Sequence, residues 1–207
     1  MRKNMVNIWA ITHGTRALGP GNRVAIWTQG CLKRCPGCTS PERRPLEDHD
    51  LRTPEALASE ILGQEGIDGI TVSGGEPFLQ AGPLAETLSL VRKERPGMTV
   101  IVFTGYLCGE LVWDEARTLL RYVDVLIDGP FVKAKKTGRG LRGSTNQEIH
   151  FLTDRLLPWK EVLLNGPRIL ETTISEDGIV TVGIPTDAFP ISFTESNVQH
   201  QNQQNHV

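Results

Sequence analysis

Gln29-Gly30-Cys31-Leu32-Lys33-Arg34-Cys35-Pro36-Gly37-Cys38 crowds three of the chain's four cysteines into eight residues. The run before it, Val24-Ala25-Ile26-Trp27-Thr28, is β-branched and aromatic, the composition of a buried strand. The cysteines therefore sit on a loop at a strand end. Their spacing, Cys-x3-Cys-x2-Cys, lets three thiolates wrap one metal centre. A structural zinc ion would want a fourth ligand, and a cubane 4Fe–4S cluster takes four cysteines as a rule. With three, one iron is left open. Cys108 is the remaining cysteine, and it reads as a plain, partly buried thiol.

Outward from that loop the chain alternates. Upstream, Val6-Asn7-Ile8-Trp9-Ala10-Ile11 forms a second β-rich run, separated from the first by the turn Gly19-Pro20-Gly21. Downstream, Thr53 caps a helix with Pro54 at its first position, Glu55 in its first turn, and Leu57, Ile61 and Leu62 on its apolar face. The strand Ile70-Thr71-Val72 ends in Ser73-Gly74-Gly75-Glu76-Pro77. A second helix carries Leu84, Leu88 and Val91 until Pro96-Gly97 stops it. The strand Thr99-Val100-Ile101-Val102-Phe103 ends in Thr104-Gly105-Tyr106. A third helix is predicted around Trp113 to Arg121, and the strand Val123-Asp124-Val125-Leu126-Ile127 ends in Asp128-Gly129-Pro130-Phe131. Strand–helix alternation predicts an α/β fold, a parallel sheet or an incomplete (β/α) TIM-like barrel. Each strand ends in a Gly-rich polar motif, and in such folds the active site lies at that edge.

After about Arg155 the character changes. Thr172-Thr173-Ile174-Ser175 and Ile179-Val180-Thr181-Val182 flank Glu176-Asp177-Gly178, which reads as a C-terminal β-hairpin appendage. Residues 197–207 are mostly Gln, Asn and His, a composition that cannot offset its own ordering entropy. The expected division is a core over residues 1–155, an appendage over 156–190 and a disordered tail over 191–207.

The chain has 207 residues, 39% hydrophobic and 22% charged, with a formal net charge of −2. That suits a sizeable core and does not indicate a cationic surface for nucleic acid. No apolar run approaches the ~20 residues that span a membrane, and Met1-Arg2-Lys3-Asn4-Met5 lacks the apolar stretch of a signal peptide. A cytoplasmic location is expected. Reducing conditions there disfavour disulfides, so clustered cysteines point to metal or redox chemistry.

The cysteine triplet together with Gly74-Gly75-Glu76-Pro77 resembles the radical-SAM superfamily, and within it the activating enzymes of anaerobic ribonucleotide reductase and, less closely, of pyruvate formate-lyase. The resemblance also rests on Gly19-Pro20-Gly21-Asn22-Arg23, Thr104-Gly105-Tyr106, Asp128-Gly129-Pro130-Phe131 and Arg142-Gly143-Ser144-Thr145-Asn146-Gln147. Many radical-SAM proteins have an aromatic residue before the third cysteine; Gly37 stands here, as it tends to in the ribonucleotide-reductase branch.

The resemblance implies that Cys31, Cys35 and Cys38 each bind one iron and that the amino and carboxylate groups of S-adenosylmethionine (SAM) chelate the fourth. It implies that Gly74 and Gly75 let the backbone approach the methionyl moiety. Glu76 and Pro77 would shape that turn, and the backbone of Gly37, Cys38 and Thr39 would lie against the adenine. Asp128 is placed either at the ribose or substrate or simply in a turn. Thr104 and Tyr106 are expected to pack the barrel rim. His13, His49 and His150 are expected to be structural or on the surface. Lys133, Lys135, Lys136, Arg139 and Arg142 read as a solvated loop, with partner docking as the alternative.

The implied partners are a glycyl-radical enzyme as target and a flavodoxin- or ferredoxin-like electron donor. A peptide or small-molecule target for the same radical is the alternative. The lack of further cysteines excludes auxiliary iron–sulfur domains. A zinc-binding interaction module is a third reading, but it leaves the Gly-Gly-Glu-Pro loop without a task.

Overall fold

The structure, a computed structural model, describes residues 4–175 and 178–185. The expected tail over 191–207, and the end of the expected appendage, lie outside the described residues.

Seven strands form one sheet: β1 (Val6–Thr15), β2 (Arg23–Thr28), β3 (Asp50–Arg52), β4 (Gly69–Gly74), β5 (Thr99–Phe103), β6 (Val125–Asp128) and β7 (Glu148–Phe151), in the order β3-β1-β2-β4-β5-β6-β7. β2, β4, β5 and β6 run parallel. β1 lies antiparallel to β2 and β3, and β7 antiparallel to β6. The expected barrel is thus a mixed α/β sheet with a parallel centre. The reason lies in the connections. A parallel return needs a crossover to the opposite edge, whereas residues 16–22 make only a turn and residues 129–147 stay at the edge where β6 ends. β3 and β7 are short strands that hydropathy did not reveal.

Helices α1 (Pro54–Leu62), α2 (Ala81–Glu94) and α3 (Asp114–Leu120) lie side by side on one face. α1 starts as its sequence dictates: Thr53 Oγ1 accepts from Ala56 N at 3.2 Å, with Pro54 at the first helical position. Side chains alternate along the strands. Ile70, Val72, Val100, Val102 and Leu126 meet Leu57, Ile61, Leu84, Leu88 and Leu119 of the helices. Ile101, Val125 and Ile127 face the other way, onto Leu141, Leu156 and Leu163. Leu163 belongs to α4 (Lys160–Asn165), so the chain beyond residue 155 packs against this sheet. Each fully buried aliphatic side chain here contributes about 1.5–3 kcal/mol.

The edge where the parallel strands begin is tied by Arg23, which is 0% exposed. Its guanidinium donates to Thr71 Oγ1, Thr99 Oγ1 and the carbonyls of Pro20, Ile70 and Thr99 at 2.7–3.0 Å. Burial lowers its pKa to about 10. Gly69 leaves room for it, since a Cβ there would stand 2.5 Å from Nη1. The Arg23 of the Gly-Pro-Gly-Asn-Arg motif therefore clamps three strands far from the site.

β8 (Leu170–Ser175) and β9 (Gly178–Gly183) pair antiparallel as a separate two-stranded sheet, Leu170 opposite Gly183 and Thr173 opposite Val180. No helix among the described residues is long and apolar enough to cross a membrane.

Candidate active site

The parallel strands all end at one edge, and a cavity of about 380 Å³ opens there. Cys31, Cys35 and Cys38, on the loop after β2, line it. So do Ser73, Gly74, Gly75 and Glu76 after β4, Phe103, Thr104 and Gly105 after β5, and Gly129 after β6. The crevice at the carboxyl ends of parallel strands is where such sheets bind ligands.

Backbone hydrogen bonds sew the cysteine loop to the glycine turn. Gly75 N donates to Thr28 O at 2.7 Å and Glu76 N to Gly30 O at 2.8 Å, while Gly30 N and Cys31 N donate to Arg43 O and Arg44 O at 2.9 and 3.0 Å. Two glycines make this contact feasible. Gly74 has φ +112°, and a Cβ on it would meet Thr28 O at 2.6 Å; a Cβ on Gly75 would meet Gly30 C at 2.7 Å and Arg43 O at 2.8 Å. The sequence reading assigned the missing side chains to ligand approach. In the structure they are required by the chain's own backbone.

The three thiols are free and half-buried. Burial pushes the Cys31 thiol pKa up, reinforced by Glu76 and by the other two cysteines nearby. Cys38 Sγ accepts from Ser40 N at 3.5 Å. Among the described residues no three Cys, His, Asp or Glu side chains gather as they would around one metal ion. The three thiols line one cavity as soft donors of the kind that iron–sulfur clusters use.

Glu76 is 1% exposed. Its Oε1 accepts from Phe78 N at 3.0 Å and Thr104 Oγ1 at 2.8 Å, and its Oε2 from Gly105 N at 2.7 Å. Burial raises its pKa, and these donors together with Lys33 oppose the rise. The carboxylate therefore braces the end of β5 against the turn after β4. Glu76→Ala would leave Gly105 N without its acceptor and the Thr104 hydroxyl, which still accepts from Tyr106 N, with nothing to donate to. We expect a loss of about 3 kcal/mol, read as a melting temperature about 10 °C lower in the cluster-loaded protein. An unchanged melting temperature would show the brace to be idle.

Not every expected residue reaches the cavity. Pro77 is buried at the start of a short 3-10 turn, Pro77–Gln80, and lies off the cavity wall. Asp128 also lies off it, although its neighbour Gly129 is on it. The Asp128 carboxylate accepts from Cys108 N at 2.6 Å and Glu148 N at 3.2 Å, and faces His150 Nε2 at 3.0 Å. Cys108 itself packs beside the helical core. His13 and His49 bond to Glu60 and to the Ile8 carbonyl.

Several wall residues carried no readable motif. Lys33 lies 3.9 Å over the Tyr106 ring and 3.6 Å from Glu110. Arg43 stacks 5.4 Å over Trp27, with its pKa lowered by burial. With Lys136, these place three cationic side chains on the cavity wall, of which Lys33 pairs with Glu110 and Arg43 with Glu42 at 3.3 Å. Gln147 lies in the Arg-Gly-Ser-Thr-Asn-Gln motif. It accepts from Gly143 N at 2.8 Å and donates to Gly129 O at 2.9 Å, holding that loop against the cavity.

Three thiols on one loop and a glycine turn locked against that loop line a single cavity at the carboxyl edge of the parallel sheet. The family described as a 4Fe-4S single cluster domain matches residues 17–150. The anaerobic ribonucleoside-triphosphate reductase-activating protein of Vibrio cholerae is 34% identical over 143 residues, 65% of this chain and 91% of the relative. Its counterparts in Enterobacteria phage T4 and Escherichia coli K12 are each 33% identical, over 69% and 65% of this chain and 90% and 91% of their own lengths. The crystal structure of QueE from Escherichia coli aligns with 49% of this chain and 52% of that one, at 17% identity and a TM-score of 0.36. The chain belongs to the family of these activating proteins: it is a radical-SAM activating enzyme, and its cofactors are a 4Fe–4S cluster and SAM.

Proposed function

We propose that the chain uses a cluster held by Cys31, Cys35 and Cys38 to cleave SAM, and that the resulting radical activates a glycyl-radical partner. The partner is an anaerobic ribonucleotide reductase, as the relatives' names state for them. The carrying observation is that all three thiols and the Gly74-Gly75 turn line one cavity. When bound, the cofactors supply one-electron chemistry. One electron from outside would release methionine from SAM, and one hydrogen atom would pass from a glycine Cα of the partner to the 5′-carbon, leaving 5′-deoxyadenosine and a glycyl radical on the partner.

The protein's own part is to hold and enclose. Three cysteines leave one iron open for the SAM amino and carboxylate groups. Lys33, Arg43 and Lys136 balance the negative charge of that carboxylate and of the thiolates. Cys38 and Thr39 offer backbone to the adenine, whereas Gly37, expected there too, lies off the cavity wall against Lys133. Glu76 fixes the turn that faces the methionyl end. Asp128 accepts from Cys108 N and Glu148 N and so ties the chain behind the cavity, in keeping with the turn role that the sequence allowed beside a ribose or substrate contact. The electron comes from an external flavodoxin- or ferredoxin-like donor.

The test mixes reduced, cluster-loaded protein, SAM and the candidate reductase anaerobically. Electron paramagnetic resonance should show a doublet from the single glycine α-hydrogen, and oxygen should then cut the reductase at that residue. A silent reductase, with a mass change instead on a peptide encoded nearby, would transfer the same radical chemistry to a peptide target.

A further inference from the structure

The family match ends at residue 150, yet the cavity does not. Thr181, Gly183, Ile184 and Pro185 line it together with the three cysteines and Gly74-Gly75. These residues reach the site because the segment carrying them is fastened on two sides. On one side Glu171 accepts from Thr15 Oγ1 and, at 3.1 Å, from Arg16 N, just past the end of β1. Val182 is buried beside it against Ala17, Leu18 and Ala25. On the other side the Arg168 guanidinium donates to Gly140 O at 3.0 Å, to Pro185 O at 3.2 Å and to Arg142 O. It thereby joins the end of this segment to the loop between β6 and β7. Ile184 packs against both neighbouring apolar groups.

Alternation along β9 sorts the two jobs. Val182 faces inward to the core, and its neighbours Thr181 and Gly183 face the cavity. The result is a wall with one bare backbone stretch, two apolar side chains and one hydroxyl, that of Thr181, which shares a hydrogen bond with Thr172 Oγ1 at 3.1 Å. Such a mixture suits a nucleoside, which presents an apolar ring face with polar edges. The cationic part of the cavity, at Lys33 and Arg43, suits the amino-acid end of the same molecule.

We propose that residues 168–175 and 178–185 form a cofactor-binding wall, in which Thr181, Ile184 and Pro185 contact the nucleoside half of SAM and screen the cluster from solvent. This rests on the reading of the site given above. The wall is a specific feature of this chain's C-terminal segment, outside the matched domain.

Two variants of the full, cluster-loaded chain test it. Thr181→Trp puts an indole into the cavity. It should keep full iron and sulfide content while SAM affinity, measured by anaerobic equilibrium dialysis, falls at least about ten-fold. Arg168→Ala with Glu171→Ala removes both fastenings. It should speed iron loss to the chelator bathophenanthroline several-fold and weaken SAM binding. If Thr181→Trp costs the cluster itself, the double variant decides. SAM affinity and chelation rate unchanged in the variants, with the wild type binding SAM normally, overturn the wall alone. Cluster-loaded wild type that binds no SAM overturns the reading of the site and the wall with it.

Discussion

Cys31→Ala, Cys35→Ala and Cys38→Ala each lose the iron–sulfur cluster and all SAM cleavage, whereas Cys108→Ala keeps both. The wild-type protein reconstituted under anaerobic conditions should carry about four irons and four sulfides per chain, and so should Cys108→Ala. The structural reason is location. The three thiols of residues 31–38 line the cavity, while Cys108 opens a short turn beside Tyr106 with its N–H bonded to Asp128. With only three ligands supplied by protein, removing one leaves two irons open, and no other cysteine is placed to replace it. Iron and sulfide analysis, together with chromatography of 5′-deoxyadenosine after dithionite reduction, reads the result. Cluster retained in any of the three variants, or lost from Cys108→Ala, would show the ligand set to be wrong.

Gly75→Val abolishes activity by a route that differs from simple occlusion of the ligand. A side chain on Gly75 points at the Gly30 carbonyl and at Arg43 O, the two groups that hold the start of the cysteine loop. The valine must push that loop away, and its branched Cβ leaves few rotamers for escape. Overpacking of this kind costs about 1–3 kcal/mol or more. Cys31 moves with Gly30, so the damage passes to the metal ligands. SAM cleavage should fall about 100-fold or more, as misplacement by about 1 Å can do, and cluster content should fall with it. Full cluster content with weakened SAM binding would restore the ligand-approach explanation for this glycine. Normal cleavage would refute both.

The sequence by itself determined the cysteine loop, the glycine turn and the alternation that builds the sheet centre. It could do so because each is local. Metal-ligand spacing, helix caps such as Thr53-Pro54 and the periodicity of Leu84, Leu88 and Val91 are written within one or two turns of chain. It also placed the motifs at strand ends, since strand and loop alternate in plain view.

What only the tertiary structure decided depends on distant residues meeting. Glu76 looked like part of a turn, and it becomes a brace only when Thr104 and Gly105 arrive from the next strand. Arg23 looked like part of a motif, and its five acceptor contacts come from three other segments. Asp128 fitted a ligand contact and a turn equally well in sequence, and pairing of β6 with β7 turns its carboxylate to Glu148 N and His150. Strands β3 and β7 escaped notice because their formation depends on the sheet edge that each completes, and intrinsic strand preference is weak against such context. The same holds for residues 168–175 and 178–185. Nothing in their composition points to a cavity, and they line one because Glu171 and Arg168 find partners more than twenty residues away at Thr15, Arg16 and Gly140, contacts that exist only once the sheet has brought those segments together.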